Sequence, residues 1–366
     1  MITTHPSQPC TSYYHKLAVE SAETARLLMF IPGNPGLVEY YTTYLDLLQE
    51  QFPTLEIVCA SHAGYQTTKS KDEEEVPYKY YGLKFQTQHK HEILKEHILR
   101  HHSHGKKVDL YFLSHSMGSY VLQRLIVKLN EDVELKGKFK IKLGGFICPT
   151  IIDIAQSDSG VLFTKLTRYL PIVPVLVFFS TLLQLVLSEH TIRRIIGRFV
   201  VSKPKLEDDK SLESWANSIT GCYNIFRDGK IIRHAIDLAR EEMTDIVRDD
   251  KFNDWYFQEL PLQGTKLWSF FALKDHWVHD HSRSYLLSRY HNPEKNVVFN
   301  VDELEDGITH SFCVDQTVEF ANITFHSLRR LFPDLQPGSQ QGVGSLANNA
   351  LGELRNRAPT HAGEEI

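Results

Sequence analysis

Cysteine is scarce: Cys10, Cys59, Cys148, Cys222 and Cys313 lie far apart among 366 residues, and no two form a C-x-x-C pair. An odd, dispersed set excludes a disulfide framework and fits a reducing compartment. Excess positive charge is also missing. With 40 Lys and Arg against 45 Asp and Glu the formal charge is −5, which excludes nucleic acid as a partner, because affinity for phosphate needs a cationic surface. The start, Met1-Ile2-Thr3-Thr4-His5-Pro6, lacks the basic residues and apolar run of a secretory signal, so synthesis on free ribosomes is expected. Histidines do crowd one helical stretch, at His89, His91, His97, His101, His102 and His104, but without a ligand spacing such as H-E-x-x-H. That stretch reads as a polar surface helix, and no metal is expected.

What remains is ordinary globular composition, 42% apolar and 23% charged. Short apolar runs read as buried strands at 26–31, 55–60, 108–113, 143–148, 266–272 and 296–301, with helix-like stretches between the first four. Continuous rather than alternating hydrophobicity belongs to strands covered on both faces, which points to a mostly parallel sheet with helical crossovers. The class is α/β. About 115 residues separate the fourth run from the fifth, far more than a crossover needs. The expected division is therefore a core in two parts, 1–150 and 261–333, with a helical cap inserted at 151–260 and a disordered tail at 334–366.

The chemistry centres on Ser114-His115-Ser116-Met117-Gly118, which follows the run ending at Leu113 and precedes a helical pattern over 121–129. A serine at a sharp turn between strand and helix, with small residues two before and two after it, is the context of a nucleophile elbow. Ser114 stands where that motif usually has glycine. Ser116 is then the nucleophile, and the N–H of Met117 faces a developing oxyanion. A serine hydroxyl needs a base, and the base needs an orienting acid; in α/β-hydrolases these follow in the order acid, then histidine. Asp275, after the run 266–272, and His310, after the run 296–301, fit that order, with His276, His279, Asp153 and Asp280 as rivals. The loop Pro32-Gly33-Asn34-Pro35-Gly36 after the first core strand offers the second oxyanion donor, the N–H of Asn34. Chemistry of this kind calls for no cofactor.

The PGNPG loop with Tyr40 and Tyr41, the serine elbow, Leu273-Lys274-Asp275-His276-Trp277-Val278 and Gly307-Ile308-Thr309-His310 together resemble the lipid droplet-associated hydrolase family of α/β-hydrolases, over about residues 26–330. The resemblance implies an α/β-hydrolase fold with helices on both faces of the sheet. It also implies a triad of Ser116, Asp275 and His310, and ester hydrolysis of neutral lipid (cholesteryl ester or acylglycerol) at the surface of lipid droplets and the cytosolic face of the endoplasmic reticulum. A weakly active or inactive droplet scaffold is the alternative.

Residues 170–187 carry no charge and form the most hydrophobic window of the chain. As a helix they would reach about 27 Å, short of a bilayer core, and Pro171 and Pro174 would break its start. Insertion into a lipid monolayer from one side is expected instead, helped by 192–199, where Ile192, Ile195, Ile196 and Phe199 alternate with Arg193, Arg194 and Arg198. The competing reading is a buried segment that lines an acyl pocket.

Overall fold

The computed structural model describes residues 1–68, 77–302, 304 and 307–335. All six apolar runs are strands: β3 (Ala25–Ile31), β4 (Leu55–Ala60), β5 (Val108–His115), β6 (Phe139–Ile147), β7 (Lys266–Phe271) and β8 (Val297–Val301). They pair in parallel in the order β4-β3-β5-β6-β7-β8. Their uninterrupted hydrophobicity follows from being covered on both sides: Leu27 through Ile31 are wholly buried.

Two strands were not legible. β1 (Thr3–Thr4) and β2 (Ser12–Lys16) extend the sheet antiparallel beyond β4, giving eight strands in all. β2 reads Ser-Tyr-Tyr-His-Lys and is only half buried, so it lacks the apolar run that marks the others.

Around the sheet lie α1 (Thr42–Gln51), α2 (Leu83–Ser103), α3 (Gly118–Glu131), α10 (Asp280–Tyr290), α11 (Phe312–Asp315) and α12 (Thr317–Leu331). On one face Phe30 of β3 and Phe270 of β7 meet Tyr44 of α1 and Phe320 of α12. Helices α2 and α3 pack on each other and on β5. Between β6 and β7 the chain forms α4 (Asp158–Tyr169), α5 (Ile172–Val186), α6 (Glu189–Phe199), α7 (Asp209–Arg227), α8 (Gly229–Asp245) and α9 (Asp250–Asp254).

Helix α2 is not the polar surface helix its histidines imply. His89, His91 and His97 are buried, and burial lowers the pKa of each, so they pack as neutral rings. His89 meets Thr11 at 2.9 Å and His97 meets Tyr13, while His91 Nε2 lies 3.1 Å from Asp132. Glu56 of β4 gathers His15 at 2.8 Å, His97 at 2.9 Å, His101 at 2.6 Å and Arg100 at 2.5 Å. Burial would raise that carboxyl, but the bonds from His101, His15 and His97 outweigh it and hold the group far below the usual range. Arg100 also lies 2.8 Å from His97 Nδ1. The cluster pins α2 to the antiparallel edge of the sheet.

The window 170–187 is mostly α5, and it is neither buried nor broken. Of its helical residues only Ser180 is buried, while Phe178, Phe179, Leu185 and Val186 are exposed by 54–79%. Pro174 sits in the first turn, where its missing N–H has no helical acceptor to lose. Among the described residues no single helix is long and apolar enough to cross a membrane; α4 and α5 together form a pair bent by 87°. In α6 the apolar face is divided. Ile192 and Ile196 are buried in a small cluster with Val201 and Tyr223, and only Ile195 and Phe199 are exposed. The side chains that made 192–199 look interfacial are therefore partly spent on packing. At the other end Leu335 is buried and Asp334 lies 3.8 Å from Arg26, so the fold extends past the expected tail boundary; the rest of 334–366 lies outside the described residues.

Candidate active site

Strand register brings the candidate residues to one edge. Ile31 of β3 pairs with Ser114, His115 of β5 with Ile147, and Ile147 of β6 with Phe270. The carboxyl ends of four parallel strands are therefore level, and the loops that leave them carry Asn34, Ser116, Cys148 and Asp275. Such ends are where open α/β sheets place their ligands, because the diverging loops leave a crevice there.

Ser116 bridges β5 and α3 with φ +52°, a left-handed conformation that L residues adopt only under constraint. The constraint is visible. Ser116 N–H donates to Ile147 O at 3.0 Å, and Ser119 N–H donates back to Ser116 O at 3.0 Å. The departure at Ser114 is accommodated, since its hydroxyl donates to Gly145 O at 3.0 Å inside the core. Two positions after the serine, Gly118 passes so close to β3 that a Cβ would fall 2.5 Å from both Ile31 O and Pro32 O.

His310 faces this turn. Its Nε2 lies 3.0 Å from Ser116 Oγ, and its Nδ1 lies 2.8 Å from Asp275 Oδ2. The other carboxylate oxygen, Oδ1, accepts Trp277 N–H at 2.8 Å and Val278 N–H at 3.0 Å. Burial raises the Asp275 carboxyl, but His310 and the two amides overcome that and leave it below its ordinary value. Hydroxyl, imidazole and carboxylate thus form one hydrogen-bonded line, with Asp275 ionised and Nδ1–H pointing at it. All three residues are shielded from water; Ser116 is 9% exposed.

The rivals are placed otherwise. Asp153 Oδ1 accepts Arg248 N–H at 3.0 Å, Asp280 pairs with Arg283 at 2.9 Å, and His279 caps α10. His276 packs with its ring centroid 6.0 Å from that of His310 and makes no hydrogen bond to Ser116.

Met117 is the N-cap of α3, and Asn34 lies in the loop after β3. Among the described residues, the backbone N–H of neither has a hydrogen-bond partner. Gly33 lets that loop rest on the elbow, because a Cβ there would sit 3.1 Å from Ser116 Cβ. The Asn34 side chain turns away toward α8. Its Nδ2 donates to Ala235 O at 3.0 Å and to Glu242 Oε1 at 2.8 Å, while Tyr65 donates to Oδ1 at 2.9 Å. Glu242 is wholly enclosed, and burial pushes its pKa up to about 8.

Sequence reasoning assigned no role at the site to four neighbours. Cys148, also at positive φ, places its sulfur within 4.8 Å of ligand atoms of Asp275 and His310. Burial holds its thiol protonated, which makes it a poor metal ligand or nucleophile. His115 and Tyr41 pack beside His310, and Glu242 holds Asn34. His115 at least has a signal, as it lies inside the elbow motif; Cys148 and Glu242 have no local mark.

Comparison with known proteins follows the same lines. A solved serine hydrolase from Cycloclasticus zankles superposes with a TM-score of 0.51 at 16% identity, covering 91% of this chain and 99% of its own. A putative ancestral haloalkane dehalogenase gives 0.55 at 10% identity, covering 90% and 99%. At such identities the likeness establishes the fold, that of the α/β-hydrolases. Sequence relatives named lipid droplet-associated hydrolase occur in Gallus gallus, 26% identical over 85% of this chain and 87% of the relative, and in Mus musculus, 26% identical over 86% and 87%. The family described as lipid-droplet associated hydrolase matches residues 24–313, and the chain belongs to it.

Proposed function

We propose that the protein is a serine hydrolase of carboxylic esters, acting on neutral lipid such as cholesteryl ester or acylglycerol at the lipid droplet surface. The observation that carries this reading is the Ser116–His310–Asp275 line at 3.0 and 2.8 Å. His310 Nε2 takes the proton of Ser116 as Oγ attacks the ester carbonyl, while Asp275 stabilises the imidazolium through Nδ1–H. The tetrahedral oxyanion is held by the N–H groups of Asn34 and Met117. His310 then returns its proton to the departing alcohol, and water releases the acyl group by the same steps in reverse role.

The lipid part of the reading rests on the relatives' shared name and on α5, whose exposed Phe178, Phe179, Leu185 and Val186 form an uncharged ridge suited to a phospholipid monolayer. Exposed Ile195 and Phe199 of α6 add to it, beside Arg194 and Arg198 for anionic headgroups. Location follows from that ridge: the droplet monolayer, and the cytosolic face of the endoplasmic reticulum.

Fluorophosphonate labelling of the purified full-length protein tests the chemistry. Wild type is expected to carry the adduct on Ser116, and Ser116→Ala is expected to take none and to hydrolyse no ester; intact hydrolysis in that variant refutes the assignment. A panel of neutral lipid esters and acyl thioesters then sorts substrates. Burial of Ser116 favours a second reading, a droplet scaffold with little or no turnover. It predicts that Ser116→Ala preserves the cellular droplet phenotype, whereas loss of the α5 ridge abolishes it.

A further inference from the structure

We propose that Tyr41 and His115 form a positioning relay that fixes the main chain of His310 relative to the oxyanion loop, so that the imidazole meets Ser116 in a single pose. The proposal rests on the serine hydrolase reading above, although neither residue touches the reacting atoms.

The argument is one of donors and acceptors. His115 Nε2 lies 2.8 Å from the carbonyl oxygen of His310. A carbonyl only accepts, so this nitrogen carries a proton. Burial, and next the neighbouring His310, drive the pKa of His115 down to about 3, so the ring is neutral and its Nδ1 bears a lone pair. Tyr41 Oη lies 2.8 Å from that nitrogen and must donate its only proton there. The lone pair left on Oη accepts Gly33 N–H at 3.3 Å. Each bond fixes the next, and one assignment satisfies every group: Gly33 N–H to Tyr41, Tyr41 O–H to His115 Nδ1, His115 Nε2–H to His310 C=O.

The relay ties the loop after β3 and the end of β5, whose strands are paired up to Ile31 and Ser114, to the loop after β8 that carries His310. It is also walled in. The His115 ring packs against Tyr41, His310 and Phe312 with centroids 5.9, 5.1 and 5.2 Å apart. A Cβ on Gly33 would approach His115 Nδ1 to 3.2 Å, so loop and ring are in direct contact. His310 is held by its side chain at Ser116 and Asp275 and by its carbonyl at His115. Remove the last, and the imidazole keeps its partners but loses the bond that sets where its backbone stands. Errors of about 1 Å in such placement cost roughly 100-fold in rate.

The test uses full-length protein, a soluble short-chain ester and a fluorophosphonate. Tyr41→Phe keeps the ring and removes the donor. It is expected to lower kcat and the labelling rate of Ser116 by roughly 10- to 100-fold, with KM changed less than about twofold. His115→Phe is expected to fall at least as far, and His115→Gln, whose amide N–H can still reach the His310 carbonyl, to recover part of the loss. The double variant Tyr41→Phe/His115→Phe is expected to be no worse than His115→Phe alone, because a broken relay cannot be broken twice. Wild-type kcat and labelling in Tyr41→Phe overturn the proposal, as does additivity in the double variant. Nitrogen-15 NMR gives a readout independent of turnover. The relay requires His115 protonated on Nε2 alone, with that preference relaxed in Tyr41→Phe; a proton on Nδ1 in wild type overturns it. Failure of wild type to label at all would count against the hydrolase reading, leaving the relay to be judged on the tautomer.

Discussion

A Cβ on Gly118 would stand 2.5 Å from the carbonyl oxygen of Ile31, nearer than real Cβ contacts come. The clashing atom is backbone of a central strand and cannot swing aside. Gly118→Ala is therefore expected to cost about 2–3 kcal/mol of stability, seen as a lowered Tm, and to slow labelling of Ser116 by pushing α3 off β3. An unchanged Tm would show that helix and strand have slack the packing denies.

Ser116 holds a left-handed backbone, with φ +52°. Glycine adopts that region without a Cβ clash, so Ser116→Gly should be about 1 kcal/mol more stable than Ser116→Ala, with both unable to label. Comparative thermal melts of the two inactive variants decide this, and equal Tm values would argue that the turn carries no strain.

Asp275→Asn keeps the shape of the acid but presents an amide to His310 and lets the imidazole take the wrong tautomer. A fall in kcat of about 10⁴-fold is expected from comparable triads, with KM little changed. A loss below tenfold would mean that Asp275 acts only through its bonds to Trp277 and Val278 N–H.

Glu242 makes stability depend on pH in a direction opposite to most carboxylates. In the unfolded chain it ionises near its ordinary 4.5, and in the fold near 8. Between those values the unfolded state binds fewer protons, so rising pH favours unfolding, and the effect levels off above 8. The full swing is on the order of 5 kcal/mol. Glu242→Gln keeps an acceptor for Asn34 Nδ2 and removes the ionisation. Its Tm advantage over wild type should be absent near pH 4.5, grow up to about pH 8 and level off above it; a pH-independent difference would contradict the buried carboxyl.

The α5 ridge predicts binding to lipid without any part in folding. Phe178→Asp combined with Leu185→Asp places two charges on side chains exposed by 63% and 79%. Flotation with phospholipid-coated triacylglycerol emulsions should fall at least tenfold, while Tm and hydrolysis of a soluble ester stay near wild type. Undiminished flotation would remove the ridge from the account of location.

What was legible in the sequence followed from strong local signals. The buried parallel strands wrote themselves as unbroken apolar runs, and the elbow serine was marked by its small neighbours between a strand and a helix. Asp275 and His310 were singled out by order along the chain, and the structure sets the His310 side chain 2.8 Å from Asp275 and 3.0 Å from Ser116. The misses share a different cause. β2 is short and polar because it lies next to the edge, covered outward only by the two-residue β1, and α2 hides neutral histidines whose partners come from residues 41 to 84 positions away. The bonds of Glu242 to Asn34, and of His115 to Tyr41 and His310, span 74 to 208 positions. No local pattern encodes a partner at such distances.

The bonds from Asn34 to Ala235 and Glu242 carry a lesson for engineering. They cross from a loop of the sheet to a helix of the long insertion, so the insertion is not a detachable cassette. A chimera that exchanged α4 through α9 for another hydrolase's helices would inherit an Asn34 amide with nothing to grip, and would need a substitution at position 34 chosen together with its new roof.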